Sequence, residues 1–434
     1  MRILFVNTSE HTGGAAIAAH RLMKALNRNH VQVQMMVRDR ETDSPQVVSS
    51  PSKWVAKGKF LAERLSIVCK NHFQTAHLFA IDPATFGTDI TRTPEFRRAD
   101  VIHLHWVNQG MLSLGNIRKI LKSGKPVVWT LHDMWPCTGI CHQAGSCERW
   151  LQGCGNCPLL WNNGAHNDLS RNVYTRKAVV YTQSPPIRFV ACSNWLADIA
   201  KRAPLLKGHP VTSIPNPIDT RFYAPGEKME ARKRLGLPLE KKLLLFVAYR
   251  VTDKNKGIDY LMEATEHINN THNELCHQLG IVLAGREADS LRNAFPCDAY
   301  PQNYVTDEQT MRDLYIASDL LVMPTLMDNL PNTIVEAMAC GVPCVGFHVG
   351  GLPQMISHRK NGYLARYKDA ENFAEGILET LFSENYRAIS VAARRSAICN
   401  YSEDAVAERY IDLYEEALDA CRDKSEPDKS SKRQ

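Results

Sequence analysis

A chain of 434 residues exceeds what one hydrophobic core serves, so two domains are expected. With 44% apolar and 23% charged residues and a net charge of +6, the composition is that of a globular protein and argues against a nucleic-acid groove. No apolar run reaches the ~18 residues of a membrane span. The start, "MRILFVNTSE", reads as a strand entering a loop and not as a signal peptide, which implies a cytoplasmic protein with its 13 cysteines reduced.

In chain order, the strand "RILFVN" ends in a loop carrying Gly13 and Gly14, followed by an amphipathic helix. A Gly-Gly pair there is a tight turn, or a place where backbone approaches a ligand. After "VQVQMMV" comes a segment, 53–73, that mixes Trp54, Phe60, Leu61, Leu65 and Val68 with Lys53, Lys57, Lys59, Arg64 and Lys70. Such a helix either rests on an anionic membrane surface or packs on the core with a solvated basic face. The strands "DVIHLHW" and "PVVWTLHD" place His103, His105, His132 and Asp133 at carboxyl ends, where parallel sheets hold ligands. Asp133 either orients the His132 imidazole or caps the next turn.

A cysteine-rich insert, 137–157, follows directly. Cys141, Cys147, Cys154 and Cys157 are spaced x5, x6 and x2, with Cys137 upstream. A Cys-x2-Cys knuckle with two more cysteines close by, in a reducing compartment, fits a structural tetrahedral metal such as zinc. Buried reduced thiols, or a redox pair, remain the other reading. The strand "IRFVACS" closes the first half, and the proline-rich "VTSIPNPIDTRFYAP" reads as a crossing between domains.

The second half again alternates strands, "KLLLFVA", "GIVLAG", "DLLVMPT" and "PCVGF", with helices, which implies a second parallel sheet. The first of these strands ends at Tyr249 and Arg250, loops through Lys254 and Lys256, and enters a helix at Ile258. Cations at a strand end beside a helix N-terminus suit a diphosphate. After "DLLVMPT", Asp328 and Asn329 are placed to cap a helix, with Pro331 in its first turn and its end at Gly341. Asp328 and Glu336, eight residues apart, would then stand about 12 Å apart along it. That is too far to share one glycosidic bond, and better suited to gripping the two ends of an extended ligand.

These motifs resemble retaining glycosyltransferases of family 4, over nearly the whole chain and in the family's order. The resemblance implies an α/β, GT-B fold: two Rossmann-like parallel-sheet domains facing a cleft. It assigns 1–214 to an N-terminal acceptor-side domain containing the cysteine insert, and 215–400 to a nucleotide-sugar domain. A helix at 401–422 crosses back to the N-terminal domain, and 423–434 is a disordered tail. In the family an arginine and a Lys-Gly pair follow the first strand of the second domain, here Arg250 and Lys256–Gly257, with the lysine one residue late. The family's Glu-x7-Glu motif here begins with aspartate, Asp328-x7-Glu336.

The resemblance assigns Asp328 and His132 to the donor sugar at the catalytic centre, and Glu336 to the ribose hydroxyls. Arg250, Lys256 and the backbone around Asn329 and Leu330 fall to the diphosphate, approached by Gly13 and Gly14. It implies transfer of a hexose from a nucleotide diphosphate sugar to a glycan acceptor, lipid-linked in related pathways, during surface polysaccharide assembly. No cofactor is required for catalysis; zinc would be structural. The insert "HDMWPCTGICH" with its later cysteines is similar to colanic-acid-type members. Contact of 53–73 with the inner face of the plasma membrane would fit such an acceptor. A nucleotide-sugar epimerase and a non-catalytic nucleotide-sugar-binding scaffold are the competing readings.

Overall fold

A computed structural model describes residues 1–50 and 52–422, so the tail expected at 423–434 lies outside the described residues. The chain forms two compact units: Met1–Pro217 together with the chain from Val406, and Ile218–Ala405.

The first unit is built on β1 (Arg2–Ser9), β2 (Gln32–Asp39), β3 (Val47–Ser49), β4 (Val101–Leu104), β5 (Val127–Leu131), β6 (Arg188–Ala191) and β7 (Val211–Ser213). They lie in the order β3-β2-β1-β4-β5-β6-β7, and every neighbouring pair is parallel. The central strands are covered on both faces, so β4 and β5 are buried at every position instead of alternating. Chain order reverses between β1 and β4, and such a switch point opens a crevice at the strands' carboxyl ends.

A final helix, Glu403–Arg422, supplies Tyr410 and Tyr414 four residues apart on one face. Both are buried in the same core as Ile3, Phe5 and Met35. The Tyr414 hydroxyl meets His103 Nδ1 at 2.6 Å, while Thr130 Oγ1 lies 2.7 Å from His103 Nε2 and 3.0 Å from the Tyr410 hydroxyl. His103 is therefore a fully paired core residue, and the ligand role open to it from its strand-end position is withdrawn.

The helix at Lys53–Lys70 keeps only part of the expected basic face, with Lys57 and Lys70 exposed. Arg64 is buried and bonds Asp82 at 3.0 Å, and Lys59 reaches Thr88 Oγ1 at 3.3 Å. The buried carboxylate of Asp82 needs a counter-charge more than the solvent needs a cation. Beside these two lysines, the helix also exposes Trp54 (82%), Leu61 (56%) and Leu65 (63%), with Phe73 (76%) just beyond. The charge expected at Lys53 is outside the side chains described. Among the described residues no helix is long and apolar enough to cross a membrane.

The second unit repeats the plan with β8 (Lys242–Arg250), β9 (Leu279–Arg286), β10 (Asp298–Gln302), β11 (Leu320–Met323), β12 (Cys344–Phe347) and β13 (Gly362–Ala365). Their order is β10-β9-β8-β11-β12-β13, again all parallel, with the switch between β8 and β11. A buried Arg232–Asp319 pair at 2.7 Å, with Asp319 also accepting the Leu243 N–H, locks the entrance of β11 beside β8.

Candidate active site

At the β8–β11 switch the sequence brings two loops together. β8 ends at Arg250, a short turn carries Lys254–Lys256, and the helix Ile258–Thr271 begins after Gly257. Gly257 has φ +77°, and a Cβ added there would stand 1.8 Å from the Pro324 carbonyl oxygen. Only glycine lets the lysine loop lie this close to the end of β11. The Asn255 carbonyl completes the join, accepting from the Leu326 N–H at 2.9 Å and the Thr325 hydroxyl at 3.2 Å. Lys256 thereby reaches Asp328, its Nζ donating to Oδ2 at 2.8 Å with both side chains partly open to solvent. Arg250 lies at the same strand end but turns to Glu287 at 3.3 Å. Glu287, which sequence reasoning passed over, sits at the end of β9 with φ +66° and also accepts from the Thr252 hydroxyl.

Asp328 does not begin a helix. The helix runs Asn332–Ala339 with Pro331 at its N-cap and no side-chain cap hydrogen bond, so the cap expected at Asp328 or Asn329 is corrected by two to three residues. The Asp328 carbonyl instead accepts the Gly351 N–H at 3.1 Å, and its carboxylate is engaged by Lys256. Both ties hold residue 328 in the loop. Because 328–331 are not helical, the 12 Å spacing, which assumed helical rise throughout, no longer applies. Glu336 lies inside this helix, is buried, and accepts from the Tyr315 hydroxyl at 2.6 Å. Asn329 is partly exposed, whereas the Leu330 side chain is buried, leaving only its backbone for any ligand.

The first unit presents its own group at the carboxyl ends of β1, β4 and β5. Gly13 caps the helix Gly14–Arg28 with no side-chain hydrogen bond, and both glycines face open space. The loop is anchored from below by the buried Glu10, whose carboxylate accepts from the Glu41 N–H at 2.7 Å, the Thr42 N–H at 2.9 Å and the Thr42 hydroxyl. Glu10, His11 and His20 also bring potential metal ligands within 4.8 Å of one another. With the Glu10 oxygens already taken by Glu41 and Thr42, the trio reads as the anchor of this loop. His132 follows β5; its Nε2 lies 3.1 Å from His105 Nδ1, and its Nδ1 lies 3.7 Å from Cys192 Sγ. Burial lowers the His132 imidazole to about 4, so it is neutral at pH 7, a hydrogen-bonding group and not a cation.

Asp133 resolves toward the cap: its Oδ1 accepts the Trp135 N–H at 2.8 Å, and its Oδ2 accepts from Trp106 Nε1 and pairs with His142 Nδ1, each at 2.7 Å. The insert is thus tied by Asp133 to the end of β4 and to its own His142. His105, near the end of β4, is the partner that the spacing did not reveal. Farther along the insert, Cys141, Cys147, Cys154 and Cys157 line one small cavity.

The family model "Glycosyltransferase Family 4" matches residues 12–222, and the model "Glycosyl transferases group 1" matches residues 241–382. The Escherichia coli K12 glycosyl transferase WcaC, named for colanic acid biosynthesis, is 22% identical over 341 residues, 75% of this chain and 78% of its own. The chain spans about half the length of other curated relatives it matches. Sucrose-phosphate synthase from Thermosynechococcus elongatus superposes with a TM-score of 0.67 at 17% identity, over 97% of this chain and all of its own. Anabaena HepE in complex with UDP-glucose gives 0.57 at 16%, over 96% and 100%. At these identities the structures speak to the fold alone, and that fold is GT-B. With models matching both units and motifs at both switch points, the chain belongs to glycosyltransferase family 4.

Proposed function

We propose that this protein is a retaining hexosyltransferase that moves a hexose from a nucleotide diphosphate sugar to a lipid-carried glycan in surface polysaccharide biosynthesis. The observation that carries the reading is the Lys256–Asp328 pair at the β8–β11 switch, where Gly257 presses a cationic loop against the end of β11 and brings Lys256 to the Asp328 carboxylate. As the bond between the sugar and the diphosphate breaks, charge grows on the departing phosphate oxygen. Lys256, Arg250 and the first amides of the helix Asn332–Ala339 are the groups proposed to meet it, without a bound metal ion. Because that charge is larger in the transition state than in the bound donor, such groups lower the barrier and do more than tighten binding.

Glu336, held by Tyr315, is the proposed ribose acceptor, and Asn329 and the Leu330 backbone extend the diphosphate site. Asp328 and the neutral His132 are the proposed catalytic residues at the sugar, and Gly13 and Gly14 are proposed donor-binding residues. The complex of HepE with UDP-glucose supports a nucleotide sugar as donor, and WcaC's name supports a polysaccharide product.

For the acceptor, a cavity of about 410 Å³ beside β2 is lined by Arg38, Asp39, Arg40, Ala56, Lys57 and Phe60; Arg38 is paired with Asp39, which leaves Arg40 and Lys57 as its further cations. It adjoins the helix whose Trp54, Leu61 and Leu65 are exposed. Cations next to an apolar stripe suit an anionic headgroup with a hydrocarbon tail at the inner face of the plasma membrane. Incubating the full chain with UDP-, GDP- and ADP-sugars, and following nucleotide release with and without lipid-linked glycan, tests the reading. Release from one donor that accelerates with acceptor is expected; an altered sugar still on its nucleotide would instead mark an epimerase. Vesicles containing anionic lipid should sediment the wild type, and Trp54→Ser with Leu65→Ser should abolish that.

A further inference from the structure

We infer that Cys141, Cys147, Cys154 and Cys157 form a structural zinc site in the first unit. All four residues line a single cavity of about 20 Å³, which Ile140, Ala144, Trp150, Arg149, Gly155 and Ser170 complete. That volume fits one atom-sized guest, since a water alone needs roughly 10–15 Å³. Thiols are poor partners for a water, and as thiolates they are strong ligands for zinc. The selection within the insert is specific: Cys137 is buried close by in the chain, yet it does not line the cavity.

Two further features point the same way. Cys154 and Asn156 hold left-handed backbone at φ +61° and +45°, turning the chain so that Cys157 shares the cavity with Cys154. Left-handed backbone costs about 1–2 kcal/mol at each non-glycine residue, a cost that ligation offsets. The Gly139 N–H donates to Cys154 Sγ at 3.3 Å, the type of outer hydrogen bond that steadies a metal-bound thiolate.

The surroundings also hold a buried amine, which lies 3.3 Å from the centroid of the Trp135 ring. Lys177 is fully buried, and its ammonium donates to the carbonyls of Trp135 at 2.6 Å and Thr138 at 3.0 Å. Among the described residues no carboxylate forms a salt bridge with it. A zinc ion with four thiolates carries two net negative charges, a counter-charge inside the same packed insert.

No three of these sulfurs lie within 4.8 Å of one another in the present arrangement, among the described residues. A Zn–S bond of about 2.3 Å sets the edge of the tetrahedron near ~3.8 Å, so ligation draws the four thiols inward by side-chain rotation. The site would hold the insert as a rigid body beside His132, and it takes no part in electron transfer.

Full-length protein purified without chelator tests this by elemental analysis. One zinc per chain is expected, retained by Cys137→Ser and lost from Cys147→Ser and Cys157→Ser. Independently of whether those variants fold, titrating the wild type with a mercurial should release one zinc as four thiols react, and cobalt replacement should give thiolate-to-cobalt charge-transfer absorption. Absence of stoichiometric zinc, iron in its place, a disulfide among the four, or zinc kept by both cavity variants would overturn the assignment.

Discussion

Gly257→Ala isolates the contact on which the proposed donor site rests. An alanine Cβ would lie 1.8 Å from the Pro324 carbonyl oxygen, where real contacts begin near 3.0 Å, so the two loops must part by 3.0 − 1.8 = 1.2 Å. The φ of +77° adds about 1–2 kcal/mol for a residue with a Cβ. Losing the bonds from Leu326 and Thr325 to the Asn255 carbonyl adds about 1 kcal/mol each. The expected destabilisation is therefore about 3–4 kcal/mol. Displacing Lys256 by about 1 Å should also cut turnover roughly 10²-fold. Gly236→Ala is the control. Its φ is +66° but nothing lies within 4 Å of the added Cβ, so it bears the backbone cost alone. Urea denaturation and donor turnover measured on both variants decide the matter. If Gly257→Ala matched Gly236→Ala in stability and in rate, the loop contact would not be what positions the lysine.

Three other outcomes follow from the same geometry. Asp328→Asn removes one partner of a partly exposed ion pair, worth at most about 1 kcal/mol; stability should barely move while turnover falls by orders of magnitude, and equal losses in both would argue for a structural role. Tyr315→Phe removes the 2.6 Å bond to Glu336 and should cost about 1–3 kcal/mol while raising the KM for the donor more than it lowers kcat. His20 is buried and lowered from 6.5 to about 4, chiefly by burial and then by His11 and Lys24. Its folded pKa is depressed, so its stabilisation is present above pH 6.5 and lost as pH falls through about 4. Between pH 7 and 5 the loss should be about 2 kcal/mol, and a shallower acid limb is expected for His20→Gln in urea titrations at the two pH values.

How far the sequence reveals this architecture depends on burial. Continuous apolar runs pick out β1, β2, β4, β5, β6, β8, β9, β11 and β12. The strands they miss, β3, β7, β10 and β13, are the four outer strands of the two sheets. Edge strands are short and paired on one side, so β3 spans Val47–Ser49 and β10 carries Pro301 without loss. The site residues were legible as strand-end cations and acids, because switch-point positions follow from alternation alone. Their partners were not. Tyr315 approaches Glu336 from twenty-one residues away, and Glu287 reaches Arg250 from the neighbouring strand. The helix start at Asn332 escaped for a related reason: local capping rules favoured Asp328, but tertiary ties to Lys256 and Gly351 hold it in the loop. Arg64 shows the same override, since the buried Asp82 lies eighteen positions away.

The most direct test is the steady-state kinetics of Lys256→Ala on the preferred nucleotide sugar, in buffer with EDTA. If the lysine takes up charge as the diphosphate departs, kcat should drop about 10²–10³-fold with little change in KM, in a variant whose circular dichroism matches the wild type. Wild-type kcat retained by that variant, or wild-type turnover lost to the chelator and restored by magnesium but not by zinc, would contradict the account.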